Sequence, residues 1–75
     1  MIFRSMSHPD EIAQRIKQLR GLRNFREIGQ LAGVAAGQWH SWEKGKNVPT
    51  LRSVRAIAAR LGVDPEWILE GSWTG

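Results

Sequence analysis

No cysteine occurs in this 75-residue chain, which excludes a disulfide framework and a thiolate metal site. No apolar run approaches the roughly 20 residues of a membrane span, so no membrane partner is expected. Met1 to Pro9 holds one arginine and no long apolar stretch, which argues against a secretory signal and makes a cytoplasmic protein the expectation. Histidine occurs only at His8 and His40, and with no cysteine to join them there is no recognisable metal set. Ser41 adjoins His40, but neighbouring helix residues point apart, so the two do not form a nucleophile and its base. A Gly-rich phosphate loop is missing as well. The expectation is therefore no enzyme, no cofactor, no metal and no small-molecule substrate. Strand patterns, internal repeats and low-complexity segments are also lacking.

What is present fits one small domain. The apolar fraction of 41% is that of a globular chain. At this length, without staples, stability needs efficient helix packing or a partner subunit. Eleven Lys+Arg stand against seven Asp+Glu, a net charge of +4 that suits a polyanionic partner. The distribution is uneven. Between Lys44 and Arg60 lie Lys44, Lys46, Arg52, Arg55 and Arg60 with no acid, whereas Asp64, Glu66 and Glu70 follow with no cation.

The periodicity predicts five helices. Residues 1–7 read as a flexible leader. Ser7-His8-Pro9-Asp10 opens helix 1, with Ser7 or His8 as cap, proline in the first turn and Asp10 and Glu11 at the positive end of the dipole. Ile12, Ile16 and Leu19 recur at helical spacing, and Gly21 ends the helix. Asn24 with Glu27 three residues on forms a capping box for helix 2, which starts near Phe25, buries Ile28, Leu31 and Ala32, and ends at Gly33. Helix 3 runs from about Ala36 to Lys44 and is locally weak, since Gly37 costs roughly 1 kcal/mol against alanine. Thr50 caps helix 4, whose buried stripe is Leu51, Val54, Ile57, Ala58 and Leu61, with Gly62 at its end. Asp64-Pro65 starts a short helix 5, Glu66 to Glu70, stopped by Gly71. Residues 8–72 thus form the domain and 73–75 a tail.

Helices 2 and 3, joined by a tight turn at Gly33, have the layout of a helix-turn-helix, whose second helix enters the DNA major groove. Arg15 to Arg20, the Gly33-Val34 turn, Trp42-Glu43-Lys44-Gly45-Lys46, Pro49, Ala58 to Val63 and the closing Asp64-Pro65-Glu66-Trp67-Ile68-Leu69-Glu70-Gly71 run in order. Over about residues 11–72 the chain resembles the Cro/phage-repressor type of helix-turn-helix protein. The resemblance implies an all-α, compact five-helix bundle (a lambda-repressor-like DNA-binding domain). It also implies a repressor that binds double-stranded operator DNA as a homodimer, with half-sites roughly 34 Å apart.

The same resemblance assigns site residues. The base-reading positions fall on Ala36, Gly37, Gln38 and Ser41, and the phosphate positions on Phe25, Gln30, Lys44, Lys46, Asn47 and Arg52, while Arg23 and Arg26 flank the start of helix 2 and are expected to meet phosphate there as well. The departures weigh against strong direct readout. Phe25 stands where the family usually has a glutamine that contacts phosphate, and Gly29 where it usually has alanine. Ala35, Ala36 and Gly37 replace the polar residues that read bases, and alanine offers only a methyl contact to thymine. His40 is read as a solvated residue of the outer face. Arg20 and Glu43 are similar to an ion pair that ties helix 1 to helix 3 in several members. Trp39, Trp42 and Trp67 sit on apolar stripes as core residues. Trp73, with Trp67 or Ile68, is the candidate dimer contact. The same fold serves the family in antitoxins and adaptors, so the alternative is a protein-interaction module with a protein partner. The stripped start of helix 3 favours it, and the basic block favours DNA.

Overall fold

In a computed structural model, which describes residues 9–71, all regular structure among the described residues is helical. The helices are α1 (Pro9–Arg20), α2 (Phe25–Ala32), α3 (Ala36–Glu43), α4 (Leu51–Leu61) and α5 (Pro65–Glu70). The leader 1–7, the proposed caps Ser7 and His8, and the tail with Trp73 lie outside the described residues.

The starts of α2, α4 and α5 have local causes. Asn24 and Glu27 complete their capping box at the start of α2. The Thr50 hydroxyl accepts the Ser53 N–H at 3.1 Å and the Asp64 carboxylate accepts the Glu66 N–H at 2.9 Å, which orders the first turns of α4 and α5. Proline at the first position of α5 gives up an N–H that has no partner inside the helix. Helix α3 stops at Glu43, one residue short of the expectation, with Lys44 as its C-cap.

One apolar core joins all five helices. It is built from Ile12 and Ile16 of α1, Ile28 and Ala32 of α2, Trp39 and Trp42 of α3, Val54, Ile57 and Ala58 of α4, and Ile68 of α5. Helix α2 packs against α3 and α4, α1 against α3 and α5, and α4 against α5. The Arg15 guanidinium reaches across to donate to the Ile68 carbonyl at 3.0 Å, a cation on the negative end of α5.

Three core and surface expectations are corrected. Leu31 is 47% exposed and Leu51 50%, so neither belongs to the core. Ile28, Gly29 and Ala32 define the inward face of α2, and Leu31 lies roughly 110° round the helix from its centre. Leu51 shares a face with Val54 and Ala58 but stands at the first position of α4, at the outer end of that stripe. Ile68 is 0% exposed: its side chain is consumed by the core and is withdrawn as a dimer contact. Trp67 beside it is half-buried and packs against the core edge.

Candidate nucleic-acid interface

The site is built on the α2–α3 junction. Gly33 closes α2 at φ +79°, a left-handed conformation that a side chain resists. The Gly29 carbonyl accepts both the Gly33 N–H at 2.8 Å and the Val34 N–H at 2.9 Å, so the chain reverses within one turn. A Cβ on Gly29 would lie 2.7 Å from the Val34 carbonyl oxygen and 3.3 Å from the Ala36 nitrogen. Glycine there lets the start of α3 sit directly on α2.

Helix α3 receives no such local help at its start. Ala35 offers no side-chain hydrogen bond as N-cap. Its anchors are Trp39 and Trp42, both buried, with rings 5.9 Å apart. The Trp39 indole N–H donates to Glu43 Oε2 at 2.7 Å. Glu43 also accepts from Arg20 Nε at 2.6 Å and Nη2 at 3.0 Å, a two-pronged pair between α1 and the end of α3. Arg20 donates further to the Arg23 carbonyl at 3.0 Å, and its guanidinium carbon stands 4.4 Å from the Phe25 ring centroid. The hydrogen bonds that Arg20 donates to the Glu43 carboxylate, and that carboxylate's negative charge, hold Arg20 above its ordinary pKa against the opposing pull of desolvation. The His40 ring meets Phe25 edge to face at 4.9 Å. The network thus fixes α3 against α1 and against the first residue of α2. Among the described residues, every buried side-chain nitrogen and oxygen has a partner.

This geometry sorts the expected residues. Arg26 and Gln30 of α2, Gly37 and Gln38 of α3, and Lys44, Lys46, Asn47 and Arg52 beyond it are exposed. Ser41 is half-buried, as is Ala36, whose backbone faces Gly29. Phe25 is half-buried between Arg20 and His40, so its ring is a brace and supplies no hydrogen bond to a phosphate. His40 is likewise half-buried on Phe25, which corrects its assignment as a solvated residue. A shallow groove between the starts of α3 and α4 is lined by Val34, Ala35, Gln38, Val48 and Pro49 among others. Sequence reasoning missed the Trp39–Glu43 hydrogen bond, although their spacing of four on one helix brings such pairs together. Among the described residues, no cluster of metal-ligating side chains occurs and no helix is long and apolar enough to cross a membrane.

Two short helices locked at a glycine turn, the second held by the core and fronted by exposed cations, are a helix-turn-helix unit within a five-helix bundle. The chain belongs to the helix-turn-helix domain family, whose model matches residues 11–68. It is 38% identical over 65 residues to the HTH-type transcriptional regulator PrtR of Pseudomonas aeruginosa, an alignment covering 84% of this chain and 25% of the relative. The chain therefore spans about a quarter of that relative's length. No solved structure matches the chain.

Proposed function

We propose that this chain is the DNA-binding part of a transcriptional regulator of the phage-repressor type, acting as a homodimer on two-fold symmetric duplex sites with α3 in the major groove. The observation that carries it is the α2–α3 unit with Gln38 exposed on α3 and Lys44, Lys46, Asn47 and Arg52 exposed along the segment that follows. Cations there meet phosphates and set register, while the few polar groups of α3 limit direct readout. Gln38 is the group able to pair with adenine, and Ser41 the second polar contact. Arg26 and Gln30 contact the backbone on the α2 side. The name of the Pseudomonas relative, a transcriptional regulator, supports the same assignment. Dimer contact falls to Trp67 and the residues that follow α5.

Selection from a random duplex library at about 0.15 M salt tests this. Enrichment of a two-fold symmetric motif is the expected result, and absence of binding at any duplex contradicts it. The second function, a protein-interaction module, is favoured by exposed Leu22 and Leu31 beside the start and on the outer side of α2. It predicts that Leu31→Ser leaves duplex binding untouched but abolishes association with a protein partner.

A further inference from the structure

We infer that Arg60 is a positioning residue of the DNA interface: its guanidinium, laid over Gly33, clasps the carboxyl end of α2 and holds the α2–α3 turn in place. The inference rests on the duplex-DNA function proposed above and names a residue that supports that function without touching DNA.

Among the described residues five glycines are left-handed, and two of them lie under an arginine. A Cβ on Gly33 would stand 2.7 Å from Arg60 Nε, 2.9 Å from its Cζ and 3.1 Å from its Cδ. A Cβ on Gly71 would stand 2.6 Å from Arg15 Nη2 and 2.9 Å from its Cζ. Gly45 and Gly62 share the backbone conformation but have no atom within 4 Å of that position. The difference follows the charge at the helix ends. The last turns of α1, α3 and α4 carry basic residues of their own, Lys17 with Arg20, His40, and Arg60. Those of α2 and α5 carry none, and Gly33 and Gly71 are the C-caps of these two helices. The carboxyl end of a helix is the negative end of its dipole and attracts a cation. The two helices that lack one thus receive an arginine from another helix.

Glycine is therefore demanded twice at position 33, by φ +79° and by the room the guanidinium takes. Arg60 is exposed and belongs to the acid-free block that charge alone would assign to phosphates. Its place is different from that of Lys44, Lys46 and Arg52, which precede or open α4, because Arg60 lies in the last turn of that helix. Helix α4 packs on α2 and is fixed in the core by Val54, Ile57 and Ala58. The clasp thus ties the turn to a core-anchored helix, in addition to the two N–H groups that the Gly29 carbonyl accepts. A looser turn would hold α3 in its binding position for a smaller share of the time, and apparent affinity falls by that share.

The test uses duplexes selected from the random library, at a temperature well below the melting of every variant. Arg60→Ala is expected to weaken binding about threefold, the worth of a cation at a helix end, and to leave the slope of log affinity against log salt as in the parent. Lys46→Ala, at a residue proposed to meet phosphate, should lower that slope by about one. A merely structural arginine would lower the melting temperature and leave affinity alone. Unchanged affinity, or a slope lowered in Arg60→Ala as in Lys46→Ala, overturns the inference and leaves the DNA function standing. Gly33→Ala probes the contact without DNA. In the parent the added Cβ strains the backbone and evicts the guanidinium, whereas in Arg60→Ala it only strains the backbone. The fall in melting temperature is expected to be smaller in the Arg60→Ala background, while Gly45→Ala should cost the same in both. Equal falls at Gly33 overturn the clasp. Absence of binding to any duplex overturns the DNA function, and the Gly33 comparison alone then decides whether Arg60 holds the turn.

Discussion

Helices α2 and α3 are neighbours of equal length, eight residues each, and are stabilised in opposite ways. Helix α2 is specified by its own ends: a complete capping box at Asn24 and Glu27 and a left-handed glycine at position 33. Helix α3 has an alanine where a cap belongs and a glycine in its first turn, and its order comes from tertiary partners. Trp39 and Trp42 are buried, and the Glu43 carboxylate binds both the Trp39 indole and the Arg20 guanidinium. The difference shows how a helix can keep a bare outer surface. Anchoring from behind and from the C-terminal end leaves the first turn free of groups that serve only the fold.

Substitutions at the two helices should break this contrast in a graded order. Trp39→Ala removes the largest fully buried side chain and one of Glu43's partners. It should cost about 3–5 kcal/mol, much of the stability of a domain this small, and show as loss of helical circular dichroism at 37 °C. Glu43→Gln keeps an acceptor for Trp39 but leaves Arg20 without its counter-charge. Because the Arg20 side chain retains 19% exposure against 5% for Glu43, the cost should be about 2 kcal/mol, below the roughly 3–5 of a fully buried broken pair. A variant melting like the parent would show that the pair holds nothing.

Glu43 raises the Arg20 pKa, so the arginine's share of stability is complete at every pH below its ordinary titration and is lost only as strongly alkaline pH passes the raised value. The melting difference between the parent and Arg20→Met is therefore expected to be the same at pH 7 and pH 9.

Smaller effects sharpen the comparison at the caps. Asn24→Ala breaks the box of α2 and should cost about 1 kcal/mol in urea unfolding. Ala35→Ser supplies α3 with the cap it lacks and should add about 0.5 kcal/mol. Opposite signs from two cap substitutions one helix apart are what distinguish an end-specified helix from a core-anchored one.

Much of the fold was legible because it is written in local signals. Asn24 with Glu27, Thr50, and Asp64 before Pro65 mark helix starts by side-chain chemistry that needs no tertiary partner. Gly33, Gly62 and Gly71 mark ends in the same way. The inward faces were less legible. On an eight-residue helix, Ile28, Leu31 and Ala32 all fit an apolar stripe, and only the approach of α3 at Gly29 decides that Leu31 turns outward. Ile68 and Trp67 adjoin on one short helix, and burial of the first follows from where α1 and α4 pack against it. At the candidate site, the cations stood out in the sequence as an acid-free basic block from Lys44 to Arg60, and the resemblance gave them their role. The brace of Phe25 between Arg20 and His40 could not, because it joins three helices through contacts that no periodicity encodes.

The most direct test of the interface is to follow backbone amide resonances while a selected duplex is added. Perturbations concentrated at Phe25–Arg26, Ala35–Ser41 and Lys44–Arg52, with the outer side of α1 unmoved, are expected if α2 and α3 form the DNA-binding face. Perturbations centred on α5 and the outer side of α1, with α3 unmoved, would contradict it.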